Sequence, residues 1–296
     1  MAWYTGKTAL AVASIGDSNA YASGGVTPNG GQVHTAGAYC YVSENGETPY
    51  SEANLGWYNV DPNGTARLAE IQSYLATTYT TDAYVGQFLG GNGNPGMQAN
   101  NDLKTGTGID SYLYQSAVGG TTAQYWAEGN GWTTLLRTIP AALAAIPGSP
   151  TAFDCILLSL GGNDAIQDFT SEQFYRDMKT FRANMVGEGW WVPGVTQIVL
   201  LDMPRNGNIQ GDGGAYPDTW LGFEYVRKRF NDRIARTDST GYEFANDGLG
   251  VHYLPPSYTN AGAQASAKFL NQIPRQRCRA SNVLANARRI LLHGAT

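Results

Sequence analysis

The sequence predicts an α/β fold built on a mostly parallel sheet. Three observations lead there. Residues 154–160 (Asp-Cys-Ile-Leu-Leu-Ser-Leu) form a continuous apolar run, the pattern of a central strand covered on both faces, and 195–201 reads as another buried strand. Such runs alternate with segments whose apolar residues recur at helical spacing, which is the rhythm of βαβ units. The chain's 296 residues are ample for a real hydrophobic core, and no internal repeat divides them. We therefore expect one domain over residues 1–296.

Taken in order, residues 9–15 read as the first buried strand, and Gly16 supplies a sharp exit from it. Residues 20–62 are rich in Gly, Asn, Ser, Pro and Tyr and read as a long loop insertion, with a hairpin around 38–42. A helix is expected over 63–74, then a second strand over 83–89. Residues 90–108, dense in Gly and Asn, read as a second, exposed loop insertion. A third strand over 112–118 ends in Gly119-Gly120-Thr121-Thr122. Residues 132–146 read as a helix interrupted at Pro140. The fourth strand, 154–160, ends in Gly161-Gly162-Asn163-Asp164. Thr170 with Gln173 has the form of a capping box. Phe174, Met178, Phe181 and Met185 then fall on one helical face as core packing. The fifth strand, 195–201, precedes a loop over 206–218. Trp220, Phe223, Val226, Phe230 and Ile234 mark one long helix, with Arg227-Lys228-Arg229 on its solvated face. His252 follows a short apolar run. Asn260 caps a helix to about residue 270, and a helical tail covers 275–296.

Composition narrows the partners. The net charge is −5, from 19 basic and 24 acidic residues, and no basic tract stands out. That argues against nucleic acid. No run is long and apolar enough to span a membrane, so no membrane partner is expected. Residues 8–15 after Lys7 resemble a short signal core, but cleavage there would remove or strip the Ser18 turn. No signal is therefore read, and extracellular, virion-borne and cytoplasmic locations stay open. Cys40, Cys155 and Cys278 form neither a metal motif nor a disulfide framework. Cys155 reads as a buried small hydrophobe, and a Cys40–Cys278 bond has no local support.

The polar residues at the predicted strand ends carry the chemistry. Gly16-Asp17-Ser18-Asn19, taken alone, is turn chemistry. A serine on a tight strand-to-helix turn is also exposed to a base and near backbone N–H groups. Of three histidines, His34, His252 and His293, His252 is the best-placed base. Such a base needs an orienting acid, and Asp247 lies on the same loop. A developing oxyanion needs donors already in place, each worth about 3 kcal/mol. A backbone N–H at Gly119 and the Asn163 amide are of that type. Ligands of parallel sheets bind at the carboxyl ends of the strands, where Ser18, Gly119, Asn163 and His252 all fall.

These ordered blocks, Gly16-Asp17-Ser18, Gly119, Gly161-Gly162-Asn163-Asp164, then Asp247 and His252, resemble the SGNH (GDSL-type) hydrolases over roughly residues 9–270. Residues 117–122 followed by Trp126 are similar to the second block of carbohydrate O-acetylesterases. The resemblance implies a three-layer α/β/α sandwich, flavodoxin-like, with a five-stranded sheet. It implies no cofactor, no metal, and ester hydrolysis through an acyl-serine. Residue by residue, Ser18 would be nucleophile, His252 base and Asp247 its orienter. The Ser18 N–H, the Gly119 N–H and the Asn163 side chain would form the oxyanion hole, and Asp17, Gly120 and Trp126 would contact substrate.

One departure matters. The family places its acid three residues before the histidine, and here that position is Leu249. Either Asp247 is brought round by Gly248 and Gly250, or a backbone carbonyl orients His252. Gly119 and Gly120 are alternatives for the same donor. Trp57, Tyr58, Trp126, Trp190 and Trp191 lie in or near loops and suit stacking on sugars. The expected substrate is an acylated carbohydrate losing an O-acetyl group. The alternatives are a lysophospholipase or thioesterase on the same fold, and a non-catalytic carbohydrate-binding module of phage-tail type.

Overall fold

The computed structural model describes residues 2–20, 35, 37–42, 83–86, 95–202, 216–243 and 252–275. The strands are β1 (Ala9–Gly16), β2 (Ala38–Val42), β3 (Ala83–Gly86), β4 (Asp110–Ala117), β5 (Cys155–Ser159), β6 (Gln197–Leu200) and β7 (Arg233–Arg236). The helices are α1 (Pro95–Thr107), α2 (Ala123–Glu128), α3 (Asn130–Ala145), α4 (Gly162–Ile166), α5 (Ser171–Gly187), α6 (Tyr216–Arg229) and α7 (Pro255–Leu270), with a 3-10 turn at Ser18–Ala20.

The sheet order is β3-β2-β4-β1-β5-β6-β7, and every pairing is parallel except β2 with β3. Within it β4-β1-β5-β6-β7 runs in the flavodoxin order. The sheet has seven strands rather than the five expected, because β2 joins the edge beside β4 and β7 joins beyond β6. Of the strand expected over 83–89, the described part, Ala83–Gly86, forms the antiparallel edge strand β3.

Period-two alternation divides the strand residues between two cores. Ala11, Ala13, Ile15, Ile156, Leu158, Ile198 and Leu200 face Trp126, Leu135, Phe174, Met178, Phe181 and Phe223 from α2, α3, α5 and α6. Leu10, Val12, Leu113, Leu157 and Val199 face Met97, Leu103, Tyr258, Ala265 and Phe269 from α1 and α7. The architecture is a three-layer α/β/α sandwich, and no helix among the described residues is long and apolar enough to cross a membrane.

Four elements depart from the sequence pattern; one is α7, which begins at Pro255 after Leu254, so Asn260 lies inside it rather than capping it. The expected loop over 90–108 contains α1, whose Pro95 occupies the favoured first turn. Its buried Asn100 donates to the Tyr39 carbonyl at 3.0 Å and accepts from Ser111, tying α1 to β2 and β4. The helix expected through Ile234 ends at Arg229, and Ile234 lies on β7. Pro140 does not end α3, which continues to Ala145 with Pro140 on its exposed face. The capping box is present, with Thr170 and Gln173 bonding reciprocally. The expected helix at 63–74 and the tail at 276–296 lie outside the described residues. Cys155 is a buried free thiol, as expected; Cys278 lies outside the described residues.

The sheet places one close contact under the site. Gly16 pairs with Ala117 on one side and Ser159 on the other. A Cβ at Gly16 would stand 2.0 Å from the Ser159 carbonyl oxygen. Gly16→Ala is expected to destabilise the fold by about 3 kcal/mol or more, the upper range for overpacking against backbone. Urea unfolding should show the midpoint fall with the slope unchanged; an unshifted midpoint would contradict the tight fit.

Candidate active site

Parallel strands deliver their following loops to one rim. β1, β4 and β5 end level with one another at Gly16, Ala117 and Ser159. Ser18, Gly119 and Asn163 follow a few residues later. The Asp17 N–H donates to the Ser159 carbonyl at 2.8 Å, and the Val118 N–H donates to the Gly16 carbonyl at 3.0 Å. These bonds stitch the three strand ends together before the loops diverge.

Ser18 opens the 3-10 turn, and His252 precedes α7, 234 residues away in sequence. Ser18 Oγ and His252 Nε2 lie 2.7 Å apart, and both side chains are buried. With the imidazole proton on Nδ1, Nε2 accepts from the serine hydroxyl, the arrangement a general base requires. Local bonds fix both partners. Asn19 accepts from the Tyr258 hydroxyl at 2.9 Å, and the Ala20 carbonyl accepts from Gln115 at 2.8 Å. Tyr253, beside His252, donates its hydroxyl to the Asp202 carbonyl and meets Tyr242 and Tyr258 edge to face. Asp247 lies outside the described residues.

Asp17, expected to contact substrate, turns its carboxylate to neighbouring donors. It is 2% exposed, and its carboxylate accepts from Ser159 Oγ at 2.9 Å, the Asn19 N–H at 3.0 Å and Asn163 Nδ2 at 3.5 Å. Asn163 carries two amide protons, so this bond leaves one free in number. Burial pushes the Asp17 carboxyl up to about 6, against the opposing pull of these donors and of His252. Asp164 is also fully buried and accepts the Ala123 N–H at both oxygens, 3.1 Å each. Burial, aided by repulsion from Asp17 and Asp177, pushes it up to about 7 against the Ala123 bond.

Trp126 is not a stacking surface. It is fully buried, and its indole N–H donates to Thr121 Oγ1 at 3.1 Å, bracing the loop from below. Trp190 and Trp191 are core residues, and Trp57 and Tyr58 lie outside the described residues. Gly119 is half-buried, whereas Gly120 is exposed with a φ of 76°, a conformation that favours glycine. The residues missed in the sequence were Ser159, Tyr258, Tyr253 and Asp164. Asp164 alone had a signal, as the last residue of its motif. Among the described residues no group of three or more His, Cys, Asp or Glu side chains is arranged to hold a metal ion.

No protein-family model matches the chain, and no curated protein matches it in sequence. Among solved structures, an Arabidopsis thaliana protein superposes with a TM-score of 0.54 at 13% identity, over 90% of this chain and 99% of that one. An alpha/beta hydrolase enzyme from the metagenome of Lake Arreo, Spain, gives 0.48 at 12% identity, over 91% and 99%. A carbohydrate acetylesterase from Sinorhizobium meliloti gives 0.44 at 13% identity, over 88% and 98%. The first likeness establishes the fold; the other two are too loose to carry an argument, and at such identity none transfers a reaction.

The raised carboxyls have a sign that can be measured. An unfolded aspartate releases its proton near 3.8, whereas folded Asp17 holds it to about 6. Folding therefore gains from protonation here: the contribution is fully present below about 3.8 and is lost as pH rises through about 6. Thermal unfolding should show wild type losing more stability than Asp17→Asn between about pH 4 and about pH 8, by on the order of 2–3 kcal/mol. Equal losses in the two proteins would contradict the burial argument.

Proposed function

We propose that this protein is a serine ester hydrolase that removes a small acyl group, an O-acetyl, from a carbohydrate. The observation that carries the reaction class is the 2.7 Å contact between Ser18 Oγ and His252 Nε2 at the carboxyl rim of the sheet. Serine is a weak nucleophile until a base takes its proton, and this imidazole is in reach to do so.

The steps follow from that pair. Ser18 Oγ bonds to the ester carbon as its proton passes to His252 Nε2. The carbonyl oxygen becomes an oxyanion held by the Ser18 and Gly119 N–H groups and the free Asn163 amide proton. Collapse expels the sugar oxygen, which takes the proton from His252 and leaves an acetyl-serine. Water then attacks and gives a proton to His252; as the bond between Ser18 Oγ and the acyl carbon breaks, Oγ takes that proton back and acetic acid leaves, ionising to acetate in solution. Asp247 is the proposed orienter of the imidazole. The acetyl-carbohydrate assignment rests on the likeness of the residues 117–126 block to carbohydrate O-acetylesterases. The burial of Trp126, Trp190 and Trp191 removes the aromatic argument for a sugar at those positions.

The test is hydrolysis of 4-nitrophenyl acetate and of an acetylated xylooligosaccharide. Ser18→Ala should lower kcat by at least about 10³-fold, and Asn163→Ala by about 10²–10³-fold at similar KM. Acetyl esters should turn over faster than octanoyl or longer ones. Equal slow acetate release by wild type and Ser18→Ala would leave a binding module, and preference for long acyl chains would leave a lipid esterase.

A further inference from the structure

The turn after β5 faces two ways. Asn163 reaches back to Asp17 on the loop after β1, and the next residue, Asp164, reaches across to the loop after β4. That second loop carries Gly119 and runs into α2. At its start the Val118 N–H is held by the Gly16 carbonyl at 3.0 Å. Within it Thr121 Oγ1 donates to the Val118 carbonyl at 2.7 Å, and Trp126 donates to Thr121. At its end Thr122 occupies the N-cap of α2 yet makes no side-chain cap bond. Asp164 caps the helix instead, from 41 residues away in sequence, by accepting the Ala123 N–H.

This cap does more than a local one. A six-residue helix has little stability of its own, so its first turn stays where the cap holds it. A carboxylate is favoured at that positive end. Because the cap belongs to the turn that bears Asn163, the Gly119 loop cannot drift relative to Asn163 without stretching this bond.

We propose that Asp164 is a positioning residue for the hydrolysis: by capping α2 from the neighbouring turn, it holds the Gly119 N–H and the Asn163 amide in fixed mutual geometry around Ser18. This rests on the reading of the site as an ester hydrolase. Losing a helix cap lowers stability modestly, whereas removing an oxyanion donor outright costs about 10²–10³-fold in kcat, and misplacing one costs part of that. A positioning role therefore predicts a loss of turnover out of proportion to any loss of stability.

The experiment measures kcat, KM and the unfolding midpoint on 4-nitrophenyl acetate for wild type, Asp164→Ala, Asp164→Asn and Ala123→Pro. Asp164→Ala should lose about 10–100-fold in kcat with KM within about threefold. Asp164→Asn, whose amide oxygen still accepts from Ala123, should recover most of that loss. Ala123→Pro removes the donor and leaves the carboxylate. Proline suits the first helical position, and Thr122 is already extended at φ −94° and ψ 170°, as a residue before proline must be. It should lose kcat as Asp164→Ala does, and it decides the matter if Asp164→Ala does not fold. Wild-type kcat in Ala123→Pro, a loss confined to KM, or an Asp164→Asn as impaired as Asp164→Ala would overturn the positioning role. A wild type inactive on every ester would remove the hydrolase reading, and this role with it.

Discussion

The Ser159 carbonyl lies so close to the end of β1 that only a residue without a side chain fits opposite it, and Gly16 is that residue. The geometry of the rim follows from this approach. Strand β1 can run flush against β5 to its last residue, so the Asp17 N–H meets the same carbonyl and turns the chain sharply. Ser18 is then delivered at the start of a short turn, level with the loops after β4 and β5. A hydroxyl placed by a strand end inherits the rigidity of the sheet, which a hydroxyl on a free loop lacks.

Polar groups around that hydroxyl are paired in a way that gives up stability for order. Asp17 and Asp164 are buried carboxyls, and burial outweighs their hydrogen bonds in each case. Apolar residues of similar size would pack there at less cost. What the carboxylates supply is direction: Asp17 gathers three donors, one from its own turn and two from the end of β5 and the turn after it, and Asp164 binds a fourth. Lacing of this kind fixes angles between loops, which packing alone leaves looser.

Much of the fold was legible because the central strands of a covered parallel sheet announce themselves as unbroken apolar runs. Strand β7 was not, because Phe230 and Ile234 continue the four-residue spacing of α6 across the turn, and arginines flank the strand. Helix α1 was hidden by its asparagines, which are poor helix formers alone. Asn100 and Asn101 are satisfied by Tyr39, Ser111 and Thr35, contacts that exist only after folding. At the site, the meeting of Ser18 and His252 could be expected from residue type and place at strand ends. The tasks of Asp17, Asp164 and Trp126 could not. Each depends on how deeply its side chain is covered, and a local pattern does not encode that.

The edge of the sheet carries a different lesson. Val42 on β2 pairs directly with Ala83 on β3, so the intervening chain leaves and returns within one strand spacing, about 4.8 Å. Such an excursion has its ends pinned by edge hydrogen bonds beside Tyr41, which belongs to the first apolar layer. Doubling its length adds only about 0.6 kcal/mol of closure entropy. Because β2 runs parallel to β4, Val42 stands at the carboxyl side of the sheet, so the excursion leaves from the side on which Ser18 and His252 meet.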